Sequence, residues 1–231
     1  MRWKLMAGVL AAAGVLATGA VALAAVFSPG SSGLGDPFFP LGGNGGYDVQ
    51  HYGLTLAYDP PANQLTGTAV ITAKATQALS RFDLDLRGFS ITQLLVNGVA
   101  ATSTRDGQEL VITPAAGLAA GKTFTVTVGY QGTPTVVTDP DQSIEGWVPT
   151  DDGSVAVGEP QGSPGWFPCN DSPQDKATYD FSVTVLSRGS PRWRTASSSR
   201  TPRAEARRRG CGARPIRWRR TSRPSRPGSS T

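Results

Sequence analysis

The chain has 231 residues, of which 39% are hydrophobic and 17% charged, with 22 Lys+Arg against 17 Asp+Glu, one His and two Cys. That length admits one or two domains, and two cysteines, Cys169 and Cys211, exclude a disulfide framework. The net charge of +5 is unevenly placed: residues 1–190 carry nine Lys or Arg against 16 acids, while residues 191–231 carry 13 Arg and the single acid Glu205. The basic excess therefore belongs to the tail and gives no ground for nucleic-acid binding by the rest.

The first element, residues 1–27, reads as a targeting segment. Arg2 and Lys4 give a positive start, the stretch from Leu5 to Phe27 is apolar or small, and Ala22-Leu23-Ala24 offers a small-x-small cleavage site. The run is also long enough to span a bilayer, which needs about 20 residues, but its Ala/Gly-rich character favours export with cleavage near Ala24 over an uncleaved anchor. Both outcomes put the remainder of the chain outside the cytoplasm. Residues 28–46 (SPGSSGLGDPFFPLGGNGG) have the Gly/Pro/Ser content of a flexible linker.

Residues 47–187 read as strands. Tyr52, Leu54, Leu56 and Tyr58 alternate with smaller or polar residues at a period of two, and Asp59-Pro60-Pro61 ends the run because proline cannot donate to a ladder. Further strands are expected over 67–75 (GTAVITAKA), 82–86 (FDLDL), 91–96, 109–113, 123–130 (TFTVTVGY) and 178–186. Asn97-Gly98 between Val96 and Val99 predicts a two-residue hairpin, since both turn positions tolerate positive φ. No stretch has a useful 3.6-residue apolar period. Short strands with turn signals between them predict an all-β sandwich or saddle of mostly antiparallel sheets, and about 140 residues suffice for one sizeable core.

Residues 158–181, GEPQGSPGWFPCNDSPQDKATYDF, fit no strand or helix period. Ser172-Pro173-Gln174-Asp175 has the form of a capping box and predicts one helical turn before the last strand, with Asp171 and Lys176 as a pair across it. Trp166 and Phe167 read as core aromatics, and Cys169 as a small buried apolar residue. This segment resembles the signature of the amino-terminal domain of the M1 family, the aminopeptidase N-like zinc enzymes, over roughly residues 47–185.

The resemblance implies a β-saddle domain that packs on a thermolysin-like zinc domain. It implies, too, that the residue eight positions before Phe167, which is Glu159, lines the S1 region and contacts the substrate amine, with Gln161 as the equivalent if the alignment slips by two. Pro160 and Gln161 stand where small residues are usual. A carboxylate suits this role because it binds an α-ammonium group by charge-assisted hydrogen bonding; the alternative is an ordinary loop carboxylate.

The zinc chemistry of that family needs H-E-x-x-H and a distant Glu. With His51 as the single histidine, the motif cannot be assembled, and the family's G-A-M-E-N segment is likewise missing. No phosphate-binding glycine loop, G-x-S-x-G or Cys/His pair offers another chemistry. The expectation is thus a non-catalytic amino-terminal β-domain of an exported zinc aminopeptidase, with no cofactor of its own and zinc in the intact enzyme. Its expected partners are the amino terminus of a peptide and the missing catalytic domain, with no nucleic acid. The alternative is a standalone secreted β-sandwich that binds a ligand.

Residues 188–231 are Arg-rich, without lysine or periodicity, and cannot bury enough to fold on their own. One reading is a basic arm. The preferred one is translation in a shifted frame of a GC-rich gene: the codons of Pro191 to Ala196, read two bases on, can spell Ala-Val-Ala-Asn-Gly, which the family places after this strand.

Overall fold

The computed structural model describes residues 26–138, 142–151, 153–186, 193–200 and 216–218. The leader up to residue 25, Cys211 and most of the Arg-rich tail lie outside the described residues. In chain order the strands are β1 (Ser28–Pro29), β2 (Tyr47–Asp59), β3 (Gln64–Ala75), β4 (Leu79–Asp85), β5 (Ser90–Val96), β6 (Val99–Ala100), β7 (Thr102–Asp106) and β8 (Glu109–Thr113). They continue with β9 (Thr123–Gly132), β10 (Val136–Thr138), β11 (Ile144–Thr150), β12 (Gly153–Val157), β13 (Thr178–Leu186), β14 (Trp193–Arg200) and β15 (Ile216–Trp218). The one helical element among the described residues is a 3-10 turn at Ser163–Gly165.

The expected all-β architecture is present, with mixed rather than purely antiparallel sheets. The largest sheet has the order β14-β13-β2-β3-β9-β5-β6, and two four-stranded sheets have the orders β1-β4-β8-β7 and β10-β11-β12-β15. β13 runs parallel to β2 and β1 parallel to β4; the remaining pairs are antiparallel. A parallel partner for β2 needs a long return path, and the signature segment is the last stretch of that path.

The alternation from Tyr52 to Tyr58 places all four large side chains in the core. β2 also begins earlier than the alternation indicates. A register shift between Val49 and His51 inserts one residue, so Tyr47 and Val49 are buried in opposite phase to Tyr52. Phe124, Val126, Val128 and Tyr130 of β9 line the same core, and Phe82 of β4 joins the sheets through rings at 5.7 Å from Tyr47 and 5.3 Å from Phe124.

The Asn97-Gly98 hairpin forms as expected, with φ of 52° and 77°. The Asn97 N–H donates to Thr125 O at 2.8 Å, and its Oδ1 accepts the Thr125 N–H at 2.9 Å.

Cross-strand from Tyr130 sits Gly67, whose missing side chain leaves the room that the phenol ring fills. A Cβ there would fall inside the ring, so Gly67→Ala is expected to cost about 1–3 kcal/mol by overpacking, read as a lower urea midpoint.

The helical turn expected at Ser172–Asp175 is absent. Ser172 does accept the Gln174 N–H on Oγ at 3.2 Å, and its carbonyl accepts the Asp175 N–H at 3.2 Å. The Asp175 carboxylate, however, is taken by the Val49 N–H at 3.0 and 3.1 Å and by Asn170 Nδ2, so the segment closes a turn onto β2 instead of starting a helix.

Within 28–46, β1 pairs with β4, Ser32 bridges Asn44, and Asn44 is buried. Beyond β13, Trp193–Arg200 pairs antiparallel along its open edge.

Candidate substrate-facing site

The signature segment is held from below by aromatic packing. Pro164 opens the 3-10 turn, which delivers Trp166 and Phe167 into the core with ring centroids 4.3 Å apart. Phe167 meets Tyr52 edge-on at 5.7 Å and Trp166 lies 5.9 Å from Trp147 of β11. Cys169 is buried as expected, and its backbone exchanges two hydrogen bonds with Asp85 at 2.8 and 3.0 Å.

Next to it lies a buried polar network. Asp85 accepts from Asn44 Nδ2 at 3.0 Å, from the Asp171 N–H at 2.9 Å and from Gln108 Nε2 at 3.1 Å. Asn170 Oδ1 accepts the Asn44 N–H at 2.6 Å, and the Asn170 N–H donates to the Tyr52 hydroxyl at 2.9 Å. Glu109 sits directly across the β4–β8 ladder from Asp85, 3% exposed, with neither carboxylate oxygen hydrogen-bonded.

Burial pushes the Asp85 carboxyl up to about 7, offset in part by the Asp171 N–H. Burial and then the neighbouring Asp85 charge push Glu109 up to about 8. Burial raises Asp175 to about 6, and burial raises Asp83 as well.

Glu159 and Gln161 stand at the other end of the segment, in a turn closed by the Gly162 N–H onto Gly158 O at 3.1 Å. Their situations differ. Glu159, on the amino side of a cis bond to Pro160, is exposed, and its carboxylate has no protein partner among the described residues. Gln161 is half-buried and engaged: its N–H donates to the Glu145 carboxylate at 3.2 and 3.0 Å, and its Oε1 accepts from Arg87 Nη2 at 3.4 Å.

The donor set does not fit zinc. The Nδ1 of His51 lies 2.8 Å from Thr178 Oγ1 and its Nε2 lies 3.6 Å from Asp180, so the lone imidazole is committed to neighbours on β13. No group of three or more His, Cys, Asp or Glu among the described residues is placed to hold a metal ion.

Sequence reasoning did not reach Asn44, Asp85, Glu109, Arg87 or Glu145. The pattern FDLDL signals a strand with one wet face, whereas every residue from Phe82 to Leu86 is buried. A strand covered on both faces puts its polar positions inside as well.

Comparison with known families matches residues 48–221 to the Peptidase M1 N-terminal domain. Among solved structures, the chain is similar to an M1 zinc metallopeptidase from Deinococcus radiodurans, with 36% identity and a TM-score of 0.61. A mutant of that enzyme bound to a Tyr-Ser-Ala substrate gives the same figures. A two-domain M1 zinc metallopeptidase mutant bound to L-arginine gives 36% and 0.62. Each alignment covers 67% of this chain and 36% of the other, so the chain spans about a third of the length of these enzymes. No curated protein sequence matches.

Proposed function

The chain belongs to the M1 peptidase family through its amino-terminal domain, and from that we propose that it is the exported, non-catalytic β-domain of a zinc aminopeptidase, which presents Glu159 to the α-ammonium group of a peptide. The observation that carries this reading is the exposed, unpartnered Glu159 carboxylate on a turn whose flanks are buried. A carboxylate not already neutralised is the acceptor an ammonium ion needs. Gln161 spends its groups on Arg87 and Glu145 and is the weaker candidate. Export rests on the positive, apolar leader of residues 1–27.

Exposed apolar side chains ahead of β2 support a missing covering domain over a standalone module. Phe38 is 84% exposed, Leu41 53% and Leu34 42%. Leu34 lies near Gly43, which in turn approaches Ser172 and Asn170 of the signature segment. Trp166 is buried and adds nothing to this surface. A domain that works alone hides such surface.

The test joins residues 26–186 to the zinc domain of the Deinococcus enzyme in place of its own amino-terminal domain. The hybrid is expected to hydrolyse an aminoacyl-anilide. Glu159→Ala is expected to raise KM about tenfold or more, the loss of one charge-assisted bond. The chain alone, supplied with zinc, is expected to turn over nothing. Chelator-sensitive turnover by the chain alone would refute the non-catalytic part, and an unchanged KM in the Glu159→Ala hybrid would refute the assigned role.

The shifted-frame reading of the tail rests on composition and codons, set against a family match that runs on to residue 221. Genomic sequence beyond codon 187 decides it: H-E-x-x-H codons in a neighbouring frame support it, and their absence there removes it.

A further inference from the structure

We propose that Glu145 and Arg87 are positioning residues that clamp the Glu159–Gln161 turn from opposite sides and so set where the Glu159 carboxylate points; the functional half of this rests on the role proposed above for Glu159. Glu145 holds the main chain. It is buried on β11, and its two oxygens take the Gln161 N–H at 3.2 and 3.0 Å. A carboxyl oxygen in a dry setting is a strong acceptor, and it ties the loop amide firmly to the strand. An added Cβ at Gly162 would meet Val157 O of β12 and, on β11, Gly146 N and, at 3.0 Å, the Glu145 Cβ. The turn therefore has no room to slide along that strand.

Arg87 holds the side chain. Its N–H donates to Pro164 O at 2.8 Å, and its guanidinium reaches Gln161 Oε1 at 3.4 Å and Gln108 Oε1 at 2.9 Å. Gln108 continues to Asp85. Arg87 is itself braced by Arg105, which donates to the carbonyls of Leu86 and Phe89 on either side. A continuous hydrogen-bonded path thus runs from the Glu159 turn to the buried Asp85 network. Neither clamp residue touches the Glu159 carboxylate, so their effect on substrate passes through its placement, and small misplacements of a binding group are costly.

Two measurements test this. In the full chain, amide hydrogen exchange at Gln161 is expected to speed up about tenfold or more in Glu145→Leu, with the β3 and β9 amides unchanged. Glu145→Gln, which keeps an acceptor oxygen, is expected to restore most of the protection, and Arg87→Met to shift the Gln161 side-chain amide resonances. In the hybrid enzyme, Glu145→Leu and Arg87→Met are each expected to raise KM about fivefold or more with kcat nearly constant, and to add little once Glu159 is already alanine. Unchanged Gln161 exchange in both Glu145 variants overturns the clamp. Fully additive KM effects overturn its action through Glu159. A Glu159→Ala hybrid with normal KM refutes the role of Glu159 and leaves the exchange result to decide the clamp. Should Glu145→Leu fail to fold, Glu145→Gln and Arg87→Met carry both measurements.

Discussion

Replacing Trp166 by alanine is expected to lower the unfolding free energy by about 3–5 kcal/mol, the cost of emptying a fully buried aromatic site. That is a large share of the roughly 5–15 kcal/mol available to a domain of this size. The site cannot collapse cheaply, because Trp166 touches elements from separate sheets. Its ring stacks near Phe181 of β13 at 6.3 Å, contacts Trp147 of β11 at 5.9 Å, and lies against Phe167, which reaches Tyr52 of β2. A hole there loosens the join between the seven-stranded sheet and the sheet that carries Glu145. Trp166→Phe is expected to cost far less, about 1–2 kcal/mol: it loses volume but removes an indole N–H that is buried without an acceptor. Urea midpoints of the two variants check the contrast. Equal losses would mean that the indole N–H, and not the ring volume, governs the site. In the hybrid enzyme, Trp166→Phe is expected to retain the KM of the parent, since the Glu159 turn keeps its clamp.

The fold is legible in the sequence where the physics is local. The alternation of β2, the proline stop after Asp59 and the Asn97-Gly98 hairpin depend on a few neighbouring residues, and all three stand in the structure. So do the strands at Glu109–Thr113 and Thr178–Leu186, with the bounds expected of them. β7 carries no such signal, because all five of its residues are exposed and have no apolar period. β12 carries a misleading one, because it buries Ser154 and Ala156 and leaves Val155 and Val157 half-exposed, the reverse of the usual pattern.

The Ser172–Asp175 turn departs from its local signal for a different reason. A capping box acts over four residues, but Asp175 has a stronger partner in Val49, 126 residues away. Glu159 is reachable from its spacing to Phe167. Its supports are not, since Arg87 and Glu145 meet Gln161 only after three separate stretches of chain have been brought together.

Folding of this domain is expected to become weaker as pH rises from about 5 to about 8.5. In the unfolded chain, Asp and Glu titrate near pH 4. In the folded domain, burial holds protons on Asp175 up to about 6, on Asp85 up to about 7 and on Glu109 up to about 8. Between those limits the folded state binds more protons than the unfolded one. The stabilising contribution is therefore complete below about pH 4 and is lost as pH climbs through the folded values, at up to about 1.4 kcal/mol per pH unit for each proton retained.

Asp85 and Glu109 face one another across the ladder, so they lose their protons as a pair, and the steepest loss falls near neutrality. A decrease of about 5–10 °C in the unfolding midpoint between pH 5.5 and 8.5 is the expected size. Glu109→Gln is the diagnostic variant. It keeps the shape, removes one of the two charges, and offers Asp85 a donor where it now meets a second acid. Its midpoint is expected to exceed that of the parent at pH 8.5 and to vary less with pH. Asp85→Asn is expected to be worse than the parent at pH 8.5, where the ionised Asp85 accepts from Asn44, Gln108 and the Asp171 N–H, and an amide NH2 in that place would oppose at least one of them. A midpoint that climbs toward pH 8.5, or a Glu109→Gln profile parallel to the parent's, would show that the buried pair does not govern the alkaline side of stability.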